Sequence, residues 1–122
     1  MKEVLLVLAG SGVGGVLRYL TACAMKNADV AFPLGTFTAN LCGCLLIGFF
    51  STLALKGNIS ADTKLLLTTG LCGGFTTFST FMNENLAMLR GGEVLQFALY
   101  TGLSIALGVA MVWLGMTVAE KI

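Results

Sequence analysis

The sequence predicts an all-α membrane protein with four transmembrane helices, the third of which is broken near its middle. Of the 122 residues, 57% are hydrophobic and 11% are charged, which leaves too few charges to cover a water-soluble domain. Four apolar stretches, at about 4–25, 33–56, 63–89 and 94–118, are each long enough to cross a hydrocarbon core of about 30 Å. We expect residues 1–122 to form one four-span domain surrounded by lipid, with no enzyme activity and no nucleic-acid partner.

The first span carries one charge and a pair of glycines. Arg18 lies more than a turn past the midpoint, where an ionisable side chain is a functional candidate by default; the alternative is snorkelling to the membrane surface. Gly10 and Gly14 are four residues apart, a spacing that lets membrane helices pack closely within one subunit or between subunits. A cleaved signal peptide is less favoured, because hydrophobicity continues from Leu17 to Cys23.

The second span contains a single amide near its middle. Asn40 shares a helix face with Cys44 and Gly48, since residues four apart lie one above the other. An isolated amide in a span often joins two helices. Its two N–H donors are equally suited to replacing the water around a passing anion. Both interpretations of Asn40 stay open from the sequence.

The third span contains the most unusual stretch of the chain, Gly70-Leu-Cys-Gly-Gly-Phe-Thr-Thr-Phe-Ser-Thr-Phe81. Adjacent glycines followed by hydroxyls and phenylalanines predict a break in the helix at bilayer depth. Backbone groups freed by such a break are tolerated only where protein buries them or water reaches them. Broken membrane helices form ion and substrate sites, so we expect the functional site here.

The half-helix after the break has two different faces. Polar side chains follow the i, i+3, i+4, i+7 pattern of one face and aromatic rings cluster opposite: Thr76, Ser79, Thr80 and Asn83 against Phe75, Phe78 and Phe81. Helical threonines commonly bond back to their own helix, and phenylalanines commonly just pack. Beside the glycines, the combination favours a pathway. Glu84, the second ionisable residue well inside a span, is a further candidate.

The fourth span adds two hydroxyls and a second stripe of small residues. Tyr100 and Ser104 lie four apart and extend a track of donors, whereas Trp113 suits a membrane interface. Four small residues repeat at the same interval, which favours close packing within the subunit or against another one: Ala98, Gly102, Ala106 and Ala110. Because four short helices enclose little of a pathway, we expect an oligomer.

An even number of spans places both termini on one side of the membrane. The basic residues near the span ends are Lys2, Lys56, Lys64 and Lys121 on that side, against Lys26 and Arg90 on the other. The positive-inside rule needs a clear excess on one side. This small difference therefore specifies the orientation only weakly.

Three segments together resemble the fluoride channels of the CrcB/Fluc family: Gly15-Val-Leu-Arg18-Tyr19, Gly35-Thr36-x-x-x-Asn40-x-x-Gly43, and the Gly70–Phe81 stretch. The resemblance extends over essentially the whole chain, and its third segment is long and specific. It implies a dual-topology antiparallel homodimer in a prokaryotic plasma or inner membrane. It also implies two fluoride pores and a structural sodium ion at the dimer centre.

The resemblance further implies roles for individual residues. Fluoride would meet an aromatic box, a pore-lining amide and hydroxyls: Phe78, Phe81, Asn40, Ser79, Thr80, Tyr100 and Ser104. Backbone carbonyls of Gly73 and Thr76 would bind sodium, in keeping with the preference of hard cations for oxygen and with the backbone freedom of glycine. One and two turns beyond Ser104, where family members can carry hydroxyls, this chain has Gly108 and Val112.

These features predict a passive, fluoride-selective channel that exports cytoplasmic fluoride and reduces its toxicity. The alternative is a small proton-coupled exporter of multidrug or guanidinium-type compounds. That chemistry needs a membrane-buried carboxylate in the first span, and residues 4–25 contain none. A non-transporting assembly module would leave the polar face of the third span unexplained.

Overall fold

The computed structural model describes residues 1–27 and 32–122, and the regular elements of these two stretches are all helical. In chain order they are α1 (Lys2–Ala24), α2 (Leu34–Leu55), α3 (Ala61–Leu65), a π-helical segment (Leu66–Cys72), α4 (Gly73–Phe75), α5 (Ser79–Arg90) and α6 (Val94–Glu120). The elements from α3 to α5 form one span, so four helical segments are long and apolar enough to cross a membrane. The prediction of four membrane helices is confirmed, and the chain is a multi-pass membrane protein.

Two glycines end helices in the left-handed conformation. After α2, Gly57 has φ +77°, and the N–H groups of Gly57 and Asn58 donate to the carbonyls of Ala54 and Leu53 at 3.1 and 2.9 Å. After α5, Gly92 has φ +76° with the equivalent pair of hydrogen bonds. Both are Schellman motifs, in which glycine avoids the Cβ clash of a left-handed residue.

Helix α1 packs along the first half of the third span through glycines. A methyl group at Gly10 would lie 2.8 Å from a backbone Cα of the π-helical segment, and one at Gly14 would lie 2.8 Å from the backbone nitrogen of Phe75. Gly74 makes a similar contact from the other side, since a methyl group there would lie 2.8 Å from the Cα of Ser11. The glycine pair of the first span therefore packs within the subunit.

Helices α2 and α6 form the second closely packed pair. A methyl group at Gly48 would lie 3.1 Å from the Cα of Val112, and one at Gly115 would lie 2.9 Å from the backbone nitrogen of Phe49. The small-residue stripe of α6 is not used in this contact. Its four members are exposed on the subunit surface: Ala98, Gly102, Ala106 and Ala110.

Helix α5 packs on α6 around a buried tyrosine. The side chain of Tyr100 is completely buried, and the ring of Phe81 meets it edge-on with the centroids 5.0 Å apart. Met88 is buried in the same cluster, and Phe37 packs against it from α2. This cluster holds the second half of the broken span against α2 and α6.

Candidate functional site

The third span breaks at residues 76–78, which confirms the predicted break. Helix α4 ends at Phe75, Thr76 has an extended backbone with φ −87° and ψ 159°, and α5 begins at Ser79. The N–H and the hydroxyl of Thr76 both donate to the carbonyl of Cys72, at 3.0 and 2.9 Å. Thr76 therefore ends the first half-helix, whereas the sequence pattern placed it on the polar face of the second.

The adjacent glycines themselves are helical. Gly73 has φ −62° and ψ −38°, a conformation open to any residue. The expectation that this position uses the backbone freedom of glycine is therefore wrong. Gly74 is required for a different reason, namely its close contact with α1.

Two side chains accept hydrogen bonds from N–H groups that would donate to backbone carbonyls if the helix were continuous across the break. In an α-helix the N–H of residue i donates to the carbonyl of residue i−4. Here the Thr77 N–H donates to Asn40 Oδ1 at 2.8 Å rather than to Gly73, and the Thr80 N–H donates to Thr77 Oγ1 at 3.3 Å rather than to Thr76. Within residues 1–27 and 32–122, the carbonyls of Gly73 and Thr76 accept no backbone hydrogen bond outside regular helix.

Helices α2 and α1 each contribute a side chain that holds the break. Asn40 Nδ2 donates to the Thr77 carbonyl at 3.0 Å, so this amide bonds both backbone groups of one residue. Of the two interpretations left open for Asn40, helix joining is thus realised, while one N–H of its amide is left for another partner. Arg18 Nε donates to the Gly74 carbonyl at 3.2 Å, so this side chain is turned into the protein.

Glu84 is held by two hydroxyls from neighbouring helices. Thr36 donates to Glu84 Oε2 and Tyr100 donates to Glu84 Oε1, both at 2.8 Å. An ionisable group within a span is costly unless it has partners, and here each carboxyl oxygen has one. The Tyr100 hydroxyl is thereby directed toward Glu84.

A cavity of about 720 Å³ lies beside the break. It brings together six of the residues that the sequence assigned to the site: Asn40, Gly73, Thr76, Phe78, Phe81 and Ser104. Their side chains offer an amide, two hydroxyls and two aromatic rings, and Cys44 also lines the cavity. Gly108 is not among its lining residues, although a methyl group there would lie 3.5 Å from the Cys44 sulfur. Donor groups and ring edges, which carry partial positive charge, suit an anion.

The remaining predicted residues lie outside this cavity. Thr80 lines a smaller cavity of about 280 Å³ together with Arg18, Thr36 and Thr77. Ser79 is exposed on the subunit surface and lines neither cavity. The two cavities are neighbours, since Thr77 lines both of them and Asn40 lines the larger.

Sequence reasoning assigned no role to Thr77 and Thr36, although both stand in the quoted motifs. Thr77 supplies the backbone groups that Asn40 binds and the hydroxyl that receives the Thr80 N–H. Thr36 lies one helical turn before Asn40 and serves Glu84. The four-residue interval between Thr36 and Asn40 was the available signal, because it places both side chains on the face that meets the third span.

Comparison with known proteins identifies a family across nearly the whole chain. The family model that matches residues 5–116 is described as CrcB-like protein, Camphor Resistance (CrcB). The match therefore covers all four spans and the break.

Curated relatives of similar length are named fluoride-specific ion channel FluC. The protein from Phocaeicola vulgatus is 48% identical over 121 residues, which cover 98% of this chain and 100% of the relative. The protein from Chlorobaculum tepidum is 50% identical, with 98% and 96% covered. The protein from Flavobacterium psychrophilum is 44% identical over 124 residues, with both chains covered completely.

Proposed function

This chain belongs to the CrcB-like family, and from that membership we propose that it is a fluoride-specific ion channel of the cell membrane. It is a passive channel and not an enzyme; it exports cytoplasmic fluoride and so reduces its toxicity. The observation that carries the proposal is the cavity at the break of the third span, where an amide, hydroxyls and two aromatic rings meet. A non-transporting module has no use for such a cavity.

The cavity residues replace the water of a small, strongly hydrated anion. Asn40 offers one amide N–H, Ser104 offers a hydroxyl, and the edges of Phe78 and Phe81 carry partial positive charge. No lysine or arginine lines this cavity within the described residues. Binding is then weak enough for the ion to leave, as conduction requires.

The two half-buried charges and the remaining hydroxyls act at the edges of this pathway. Arg18 adds positive potential from the smaller cavity, which Thr80 also lines. A hydroxyl has one proton to donate, so Tyr100 serves either Glu84 or a fluoride ion at a given moment. Ser79 lies on the exposed surface beside the break, where a second subunit completes the pathway.

The direction of net transport follows from the membrane potential. A potential that is negative inside favours exit of an anion by about 2.3 kcal/mol per charge for each 100 mV. No coupled ion is needed for export under these conditions. Fluoride therefore leaves the cell as long as the potential exceeds the opposing concentration gradient.

We further propose that a structural sodium ion binds the carbonyl oxygens of Gly73 and Thr76. The support is that both oxygens are left without the N–H partner of a continuous helix, and hard cations prefer such oxygen ligands. When bound, the ion supplies fixed positive charge near the anion pathway. The residues of this chain hold the break and present the two carbonyls.

An antiparallel homodimer is the assembly that we propose. Phe78 is 73% exposed on the single subunit, which is unexpected for a residue of a functional cavity unless a second copy covers it. The exposed stripe on α6 suits close helix packing. The weak charge bias between the two ends of the spans allows insertion in both orientations.

The experiment that tests the function is fluoride efflux from liposomes, recorded with a fluoride electrode after a potassium ionophore sets the potential. Protein-free liposomes and chloride-loaded liposomes are the controls. We expect fluoride efflux without chloride efflux, with equal rates whether or not a sodium gradient is imposed. Removing sodium from both sides should lower the rate. Absence of fluoride efflux from well-folded protein, together with proton-driven guanidinium movement, would establish the exporter instead.

A further inference from the structure

For each free carbonyl at the break, the N–H group that would be its partner in a continuous helix donates to a side chain instead. Asn40 Oδ1 receives the Thr77 N–H that would otherwise reach Gly73, and Thr77 Oγ1 receives the Thr80 N–H that would otherwise reach Thr76. Buried backbone groups in lipid almost always find partners. Removing either acceptor would therefore return an N–H to its helical carbonyl.

We propose that Asn40 and Thr77 are positioning residues for a hard monovalent cation, because they keep the carbonyls of Gly73 and Thr76 unpaired. This inference rests on the proposed function, since it concerns the sodium ion of that channel. Neither side chain needs to touch the cation. Each acts on the N–H group that competes with the cation for one carbonyl oxygen.

The geometry explains why an amide and a hydroxyl occupy these two positions. Asn40 bonds the N–H and the carbonyl of Thr77, at 2.8 and 3.0 Å, and so holds both peptide groups that flank Thr77 out of the helical arrangement. The Thr77 hydroxyl donates to Thr80 Oγ1 at 3.2 Å, which leaves its own lone pairs turned to the Thr80 N–H. An aliphatic side chain at either position offers no acceptor.

The consequence is that the two ends of the Asn40 amide have different roles: the oxygen accepts the Thr77 N–H, and the nitrogen has an N–H left for fluoride. Asn40→Asp keeps an acceptor for the Thr77 N–H, so sodium binding should survive. It also places a carboxylate beside the fluoride cavity, so fluoride conduction should fall strongly. Asn40→Ala loses both, and a helical hydrogen bond must then be broken before the Gly73 carbonyl can bind a cation.

The test measures the melting temperature of the purified full-length protein against sodium concentration, with N-methyl-D-glucamine as the replacement cation. A ligand that binds only the folded state stabilises it by RT ln(1 + [L]/Kd), so the dependence of Tm on sodium concentration gives the sodium Kd. We expect Asn40→Ala and Thr77→Val to raise the sodium midpoint, the concentration equal to the Kd fitted to this dependence, about tenfold, the change expected for one competing hydrogen bond. Asn40→Asp and Thr77→Ser should stay within about twofold of wild type.

Thr69→Val is the matched control, because Thr69 lines the same cavity but is exposed on the subunit and lies in the π-helical segment before the break. It should leave the sodium midpoint unchanged. An unchanged midpoint in Asn40→Ala and Thr77→Val would overturn the inference, as would a loss in Asn40→Asp equal to that in Asn40→Ala. If Asn40→Ala does not fold, the comparison of the sodium midpoints of Thr77→Val and Thr77→Ser decides the question.

The result separates this inference from the proposed function. A wild-type Tm independent of sodium would overturn both the sodium site and the positioning role while fluoride efflux continued. Fluoride efflux that is absent although the sodium midpoints shift as expected would overturn the channel assignment and leave the positioning role established. Sodium-23 exchange measurements on the same samples give a second readout of occupancy.

Discussion

Replacing Phe81 by isoleucine should weaken both the subunit fold and fluoride conduction. The Phe81 side chain is 7% exposed, and its ring meets Tyr100 edge-on at 5.0 Å between centroids. Such an aromatic pair contributes about 0.5–1.5 kcal/mol, and a branched side chain of different shape adds a packing defect, for a total of about 1–3 kcal/mol. That loss corresponds to a fall in Tm of roughly 3–10 °C for a chain of this size.

Phe78→Ile is the matched comparison, because the same change is made outside the core of the subunit, on a side chain that is 73% exposed on the single subunit. Its ring lies 6.3 Å from that of Phe81 and takes no part in the contact with Tyr100. We expect a smaller fall in Tm than for Phe81→Ile and a similar loss of fluoride efflux, since both variants lose a ring edge. The two quantities are measured on the same preparations, by thermal unfolding and by electrode efflux from liposomes at matched protein content.

Two results would refute this reasoning. Fluoride efflux at the wild-type rate from both variants would remove the aromatic rings from the pathway. Equal falls in Tm would show that the edge-on contact with Tyr100 contributes nothing that the exposed ring lacks. A variant that elutes as an aggregate is excluded by size-exclusion chromatography before either measurement.

Three further predictions concern stability and orientation. Tyr100→Phe and Thr36→Val should each lower the free energy of unfolding by about 1.5–3 kcal/mol, because each removes a donor to Glu84. If the losses measured by thermal unfolding were strictly additive in the double variant, the two hydroxyls would not share Glu84 as an acceptor. Gly14→Ala should lower Tm by more than about 5 °C. Gly12→Ala should leave Tm unchanged, since a methyl group at Gly12 meets nothing within 4 Å. Equal Tm values for the two variants would disprove the close contact at Gly14. Reporters fused to Ile122 should signal from both sides of the membrane, and a single orientation in fully active protein would rule out the antiparallel homodimer.

The four spans could be predicted from the sequence, because the length and composition of each segment decide whether it can cross a membrane. The break was predicted from the unusual stretch around Gly73, yet its position was not, because Thr76 and Thr77 have ordinary local propensities. What places the bend at residues 76–78 is a hydrogen bond to Asn40, 37 residues away. Such a pairing depends on how α2 and the third span pack, which no local pattern specifies.

The sequence also could not predict that the side chains of Tyr100 and Ser104 serve different sites. The four-residue interval correctly places both on neighbouring turns of α6, and it predicts one continuous track. Ser104 does line the large cavity, but the Tyr100 hydroxyl donates to Glu84. The side chain is directed there by the packing of Phe81 and by the position of the carboxylate on α5, both of which are tertiary facts.

The pairing of the helices has a consequence for how the protein is made. Helix α1 finds its glycine contacts on the first half of the third span, and α2 finds its own on α6, so each span packs most closely on one that is not its immediate successor. The partner of α2 is α6, which leaves the ribosome only after the whole third span. Helix α2 must therefore enter the bilayer without its partner and keep its small residues facing lipid until Val94–Glu120 has been made. Chains shortened before Val94 would insert but would leave the glycine surface of α2 permanently uncovered.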